Sequence, residues 1–210
     1  MPAAPGTPLD RIVAIVNDNV ILDSDVNQEL RFEAFDPYRN RLEGTTRDKV
    51  IERLINRALI LQQLKLQPED APADEEVNKQ INELRKNIPA CAAYHCQTKE
   101  GWDRFLADHG FNEDSFFALW KERMTVLNFI EERFQTGIDI TQAQIKDYYD
   151  KVLLPEYERQ HAPAPKIEAI SSQIHEILVQ QQISNLLQDW LQSLRAQGSV
   201  VVLHPGEEAP

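Results

Sequence analysis

Two short β-branched runs lie near the start of the chain, in the segment RIVAIVNDNVIL at residues 11–22. They flank Asn-Asp-Asn at residues 17–19, and these residue types tolerate the positive φ angles that a tight hairpin turn needs. The pattern predicts a short β-hairpin. Ser24 follows as a candidate helix cap, with Asp25 in the first turn, where a negative charge favours the helix dipole. We expect that helix to end before Pro37.

Beyond residue 45, apolar residues recur at the three-to-four-residue spacing of amphipathic helices. The candidate helices occupy about residues 45–66, 74–88, 98–109, 112–136, 141–153 and 167–196. Gly110, Gly137 and Gly198 suit the left-handed position that ends a helix. Thr141 and Gln144 have the spacing of a capping box. These signals predict a mostly α-helical fold.

A last apolar run, SVVVLH, follows the final helix and predicts a strand at residues 200–203. A lone strand is not stable in water, so it must pair with the hairpin strand at residues 12–16. We therefore expect a multi-helix module with a small β-sheet in which the two ends of the chain meet.

Proline positions and the helical pattern divide the chain into five segments. They are a disordered N-terminal tail at 1–8, a helical region at 9–154, a Pro-rich connector at 155–166, a helix and strand at 167–204 that complete the same core, and a tail at 205–210.

Composition and motifs exclude several function classes. The formal net charge of −12 opposes nucleic-acid binding, which needs clustered Lys and Arg. No apolar run reaches the roughly 18 to 20 residues that span a bilayer. Nucleotide-binding and hydrolase signatures are missing, and His175-Glu176 lacks the second histidine of a zinc-protease helix. We expect no catalytic residues, no metal and no cofactor.

Cys91 and Cys96 are the only two cysteines, and they flank one short loop, PACAAYHCQT. Three readings remain open: a local disulfide, two free thiols, or zinc ligands together with His95 and His109. The spacing matches no familiar zinc finger, so a disulfide or two free thiols are favoured over a zinc site.

The segments RIVAIVNDNVILDSDV and TTRDKVIERLINRALILQQLK resemble the N-terminal region of the SurA periplasmic chaperones. The likeness continues through DEEVNKQINEL, TKEGWDRFLADHGF and ITQAQIKDYYD, and the closing helix with VVVLH resembles the family's C-terminal helix and strand. It covers nearly the whole chain.

This resemblance implies an ATP-independent periplasmic chaperone that holds unfolded outer-membrane proteins, with an export signal removed before Met1. The exported context favours the disulfide. SurA-like proteins carry one or two parvulin domains between the matched parts, and residues 155–166 are too few for one. We therefore expect no prolyl isomerase activity.

Aromatic residues near the end of the first helix and on the helix at about 112–136 are the candidates for client binding. The set comprises Phe32, Phe35, Tyr38, Phe117 and Phe129. An ordinary core and the floor of a peptide groove are both open readings for each of them.

Two other functions compete with the chaperone reading. One is a folding factor with peptidyl-prolyl isomerase activity, and the other is a non-catalytic docking subunit that binds one folded partner. The short connector also permits a homodimer that swaps the C-terminal helix and strand.

Overall fold

The computed structural model describes residues 10–37, 45–66, 71–204 and 207. The predicted N-terminal tail, the predicted C-terminal tail apart from residue 207, and the candidate contact residue Tyr38 lie outside the described residues.

The predicted sheet forms, with the strands β1 (Ile12–Val16), β2 (Asn19–Leu22) and β3 (Val200–Val202). Their order is β2-β1-β3, and both pairings are antiparallel. Asn17 has a φ of 53°, as the predicted tight turn requires. The predicted meeting of the chain ends is therefore confirmed.

Helices make up most of the described residues, which confirms the mostly α fold. They are α1 (Asp23–Phe32), a 3₁₀ turn (Glu33–Phe35), α2 (Arg47–Leu66), α3 (Asp74–Asn87), α4 (Cys91–Tyr94), α5 (Lys99–Asp108), α6 (Glu113–Gln135), α7 (Gln142–Tyr148), a π-helical turn (Tyr149–Leu153), α8 (Leu154–Arg159) and α9 (Ile167–Gln197).

Two of the three predicted glycine helix ends have the expected left-handed backbone; Gly198 directly follows α9 but does not have a positive φ. Gly110 and Gly137 adopt φ angles of 77° and 99° just after α5 and α6, where the missing Cβ removes the steric penalty. Thr141 and Gln144 form the predicted capping box at the start of α7.

One sequence-based prediction was wrong in position. Ser24 is not a cap, because α1 already begins at Asp23, and the carboxylate of Asp25 instead accepts the backbone N–H of Leu22 at 2.8 Å. The segment predicted as a Pro-rich connector, residues 155–166, begins within a short helix, because a proline near the first position of a helix gives up no intrahelical bond, and α8 continues to Arg159.

Asp23 joins the hairpin to two helices through arginine contacts. Its carboxylate accepts a hydrogen bond from Arg11 at 3.0 Å and is also ion-paired with Arg47. Partial burial opposes ionisation, but these two cations and a hydrogen bond from Asn27 outweigh it. The pKa of Asp23 consequently lies below its ordinary value.

The chain divides into two compact units, one of residues Met1–Leu127 with Ser193–Pro210 and the other of residues Asn128–Gln192. We call them unit 1 and unit 2. The division falls within α6 and α9.

A core cluster of unit 1 is rich in aromatic rings. Phe35 is at its centre and packs against Trp102, Phe105, Phe111 and Phe116 at ring-centroid distances of 4.5 to 5.9 Å. Because Phe35 is only 1% exposed, the 3₁₀ turn that carries it is anchored on α5 and α6.

A disulfide joins Cys91 and Cys96, whose Cα atoms are 5.1 Å apart. Both cysteines belong to the unit 1 core. The guanidinium of Arg85 lies 5.3 Å from the Trp102 ring, and its Nε donates to the carbonyl oxygen of Cys96 at 2.7 Å. Gly101 lies against the same loop, where a Cβ would come within 2.3 Å of the carbonyl oxygen of His95. The loop is therefore tightly packed.

Unit 2 has a smaller aliphatic core built on Ile140, Ile145 and Ile174. Phe129 lies elsewhere in this unit and contacts Trp190 at 6.0 Å between ring centroids. The π-helical turn and α8 also belong to unit 2, as do residues 162–166, which have no regular secondary structure.

Candidate functional site

A cleft of about 410 Å³ opens on unit 1 among α1, the 3₁₀ turn, α2, α3 and α6. Its lining residues are Glu29, Phe32, Glu33, Phe35, Asp36, Pro37, Arg53, Gln80, Glu83, Leu84, Asn87, Trp120, Arg123 and Leu127. Because helices and a 3₁₀ turn form the walls, the cleft has a preformed shape.

The apolar surface of the cleft comes from α1 and α6. Phe32 lies 6.0 Å from Trp120 and 5.6 Å from Phe116, measured between ring centroids. Trp120 and Phe116 are stacked at 5.9 Å, one helical turn apart. Leu127 adds an aliphatic side chain that is 52% exposed. A large apolar group therefore lies open to solvent beside partly covered rings.

Arg123 projects from the same face of α6 as Trp120 and Leu127, three residues from one and four from the other. Its guanidinium carbon lies 6.0 Å from the centroids of both the Phe32 and the Trp120 rings. Within the described residues Arg123 forms no ion pair, and its side chain is exposed. Aromatic rings thus position a cation whose N–H donors remain available.

The indole of Trp120 is a second hydrogen-bond donor at the cleft. Its Nε1–H is buried and has no hydrogen-bond acceptor among the described residues. Buried polar groups in native proteins are nearly always bonded, so such a donor marks a place where a ligand or water can supply the missing acceptor.

Carboxylates also line the cleft, and two of them are buried. Glu29 is 5% exposed and accepts hydrogen bonds from Arg57 at 2.9 Å. Glu33 is 9% exposed and ion-paired with Arg53. These pairs tie α1 and the 3₁₀ turn to α2, because breaking one would leave a charge buried without its partner.

The structure separates the residues that we predicted to contact clients. Phe32 and Phe35 both line the cleft, although Phe35 is almost wholly buried. Phe117 is half-buried and lines a different cavity of unit 1, of about 280 Å³. Phe129 is 1% exposed in unit 2, and Tyr38 lies outside the described residues. The role of these residues in client binding stays a prediction.

Three cleft residues, Trp120, Arg123 and Leu127, were not in the predicted set. Their spacing along α6 places them on one helix face and could have grouped them. The sequence carries no signal that this face stays partly open, because exposure depends on which other helices cover it.

The described residues contain neither a membrane-spanning helix nor a cluster of metal-binding side chains. No helix within residues 10–37, 45–66 and 71–204 is both long and apolar enough to cross a membrane. In the same part of the chain, His, Cys, Asp and Glu side chains form no group of three that could hold a metal ion.

Comparison with known proteins relates this chain to chaperones. No family model matches it. It is 26% identical over 138 residues to Chaperone SurA of Xanthomonas oryzae pv. oryzae (strain MAFF 311018), which covers 66% of this chain and 29% of that protein. Chaperone SurA of Hahella chejuensis is 21% identical over 140 residues, covering 67% of this chain and 31% of that protein.

A shorter match, to Chaperone SurA of Buchnera aphidicola subsp. Schizaphis graminum, is 36% identical over 85 residues and covers 38% of this chain and 19% of that protein. The chain spans less than a third of the length of these relatives. The matches support a distant, SurA-like relationship and, with it, a chaperone role in general.

Proposed function

We propose that this chain is an ATP-independent chaperone that holds extended segments of unfolded polypeptides in the cleft of unit 1. The observation that carries the proposal is the half-exposed Leu127 beside the rings of Phe32 and Trp120, in a cavity of about 410 Å³. A cavity of this size accepts one or two apolar side chains of a client.

The physics of such a site favours reversible binding. Burial of client side chains contributes about 25 cal/mol per Å², and the ordering of an unfolded segment offsets much of that gain. We expect dissociation constants on the order of micromolar. Clients are then released without nucleotide hydrolysis.

The clients that we propose are unfolded outer-membrane proteins, and the compartment is the periplasm. The likeness to proteins named Chaperone SurA supports both assignments. The disulfide between Cys91 and Cys96 fits an oxidising compartment.

We further propose that these 210 residues do not catalyse prolyl isomerisation. The chain between α7 and α9 consists of a π-helical turn, α8 and a few residues without regular secondary structure. A parvulin domain of the SurA type would need far more residues there. Isomerisation of an X-Pro peptide should keep its uncatalysed time of tens to hundreds of seconds in the presence of the protein.

The direct test is an aggregation assay. An outer-membrane β-barrel protein in urea is diluted into buffer with stoichiometric protein, with and without ATP, and light scattering is followed. We expect slower scattering in both cases. Leu127→Ser should weaken the protection, whereas Leu66→Ser, a matched change at a 74% exposed leucine outside the cleft, should not.

Each outcome decides between the candidate functions. If the protein at several-fold excess leaves the scattering of several clients unchanged, the chaperone proposal is wrong and the docking subunit becomes the better reading. If protection persists in Leu127→Ser with an unchanged fold by circular dichroism, the chaperone acts through another surface.

A further inference from the structure

Three of the carboxylates that line the cleft are ion-paired with cationic side chains of the protein. Glu29 and Glu33 are ion-paired with Arg57 and Arg53. Glu83 is ion-paired with Lys86 at 2.6 Å. Most of the negative charge that lines the cleft is therefore already compensated by cations of the protein itself.

Arg123 differs from these residues, because its contacts in the described part of the chain are with rings. Its guanidinium packs against Phe32 and Trp120 and meets no carboxylate there within ion-pair distance. A guanidinium beside aromatic rings keeps its N–H groups available for an acceptor, and its planar fork matches a carboxylate. The fork is itself preorganised, so less side-chain entropy is lost for each hydrogen bond formed.

We propose that Arg123 gives the cleft a charge preference for client segments in which an Asp or Glu lies next to an aromatic or aliphatic residue. The apolar side chain packs against Phe32, Trp120 and Leu127, and the neighbouring carboxylate bonds the Arg123 guanidinium. This inference rests on the proposed function, because it names the segments that the same cleft selects.

Charge complementarity favours this occupant over a basic segment. A Lys or Arg beside the apolar residue would meet Arg123, while Glu29, Glu33 and Glu83 already have cationic partners. A backbone carbonyl could also bond Arg123, but an ionised acceptor makes the stronger hydrogen bond. The carboxylate is therefore the group that separates preferred segments from rejected ones.

The test uses three labelled peptides with acetylated N-termini and amidated C-termini, so that their only ionised groups are side chains. Each has the same Phe-Leu centre, flanked by Glu, Gln or Lys. Fluorescence anisotropy with the full chain should show that the Glu peptide binds most tightly, the Gln peptide less tightly and the Lys peptide most weakly. The Glu and Lys peptides should differ about threefold to tenfold at low salt and less at high salt.

A charge reversal makes the test specific to this arginine. Arg123→Glu should invert the order, so that the Lys peptide binds best, and Arg123→Gln should bring the three affinities together. Arg104→Glu is the matched control, since Arg104 is exposed on α5 and does not line the cleft. It should keep the wild-type order.

The outcomes separate this inference from the proposed function. If all three peptides bind the wild type equally, or if Arg104→Glu changes the order as much as Arg123→Glu does, the preference does not reside in Arg123 and the inference is overturned. The cleft then remains a client site. If none of the peptides binds while scattering assays show protection, client binding lies elsewhere and the inference fails with the cleft assignment.

Discussion

Asn17 and Ser199 form two hydrogen bonds with each other across a separation of 182 residues. The backbone N–H of Asn17 donates to the carbonyl oxygen of Ser199 at 2.7 Å, and the N–H of Ser199 donates to Oδ1 of Asn17 at 2.8 Å. Nδ2 of Asn17 also donates to Gln62 at 2.6 Å. One turn residue thus connects the hairpin, α2 and the start of β3.

Replacing Asn17 separates its two roles, which are side-chain bonding and a left-handed backbone. Asn17→Gly and Asn17→Ala both remove the side-chain bonds, and each should lower the free energy of unfolding by about 1 to 3 kcal/mol. Asn17→Ala should cost roughly 1 kcal/mol more, because alanine must adopt a φ of 53°. Urea denaturation measures the free energy of unfolding of both variants. A glycine variant as stable as the wild type would show that the side-chain bonds contribute nothing.

The contacts of Asp23 predict a dependence of stability on pH. Its pKa is lowered in the folded protein, so ionisation favours folding. The contribution is fully present above the ordinary value of 3.8 and is lost as the pH falls through the lower folded value. The difference in unfolding free energy between the wild type and Asp23→Asn should therefore shrink on acidification through this window. A difference that does not vary with pH would contradict this prediction.

The disulfide should stabilise the fold modestly, because it closes a very short loop. Protein prepared under oxidising conditions should show no titratable thiol in denaturant, and reduction should lower the free energy of unfolding by about 2 kcal/mol. The double variant Cys91→Ala, Cys96→Ala should match the reduced protein and should not respond to reductant. Two thiols that titrate before reduction would contradict the bond.

Phe35 should behave as a core residue even though it lines the cleft. Phe35→Ala removes a ring that is 1% exposed and should lower the free energy of unfolding by about 3 to 5 kcal/mol. Leu127→Ser removes a half-exposed side chain and should change stability far less. Thermal unfolding of the two variants checks the contrast. A Phe35→Ala variant as stable as Leu127→Ser would mean that the ring is not part of the cooperative core.

The parts of the fold that local chemistry determines were predictable from the sequence. The hairpin, the left-handed glycines after α5 and α6 and the capping box at Thr141 depend on neighbouring residues, and each formed where it was expected. The pairing of β3 with the hairpin was also predictable, since the hairpin was the only candidate sheet. Ser24 failed as a cap because β2 runs directly into α1 and Asp25 satisfies the first backbone donor instead.

The candidate site was less predictable, because exposure is a tertiary property. Phe116 and Phe117 are adjacent in the sequence, yet Phe116 is 1% exposed in the core and Phe117 is half-buried beside another cavity. Nothing in their residue types separates them. Leu127 and Arg123 belong to the cleft only because the other helices of unit 1 leave this face of α6 partly open.

The pairing of β1 with β3 also sets the order in which the sheet closes. This contact closes a loop that includes nearly all of the helices, and the entropy cost of so long a loop makes the pairing a late step of folding. Until then the hairpin presents a strand edge whose N–H and C=O groups are open to any extended chain nearby. Completion of unit 1 is therefore a late event of folding, and its rate depends on the length of the loop that must close as well as on the strength of the pairing.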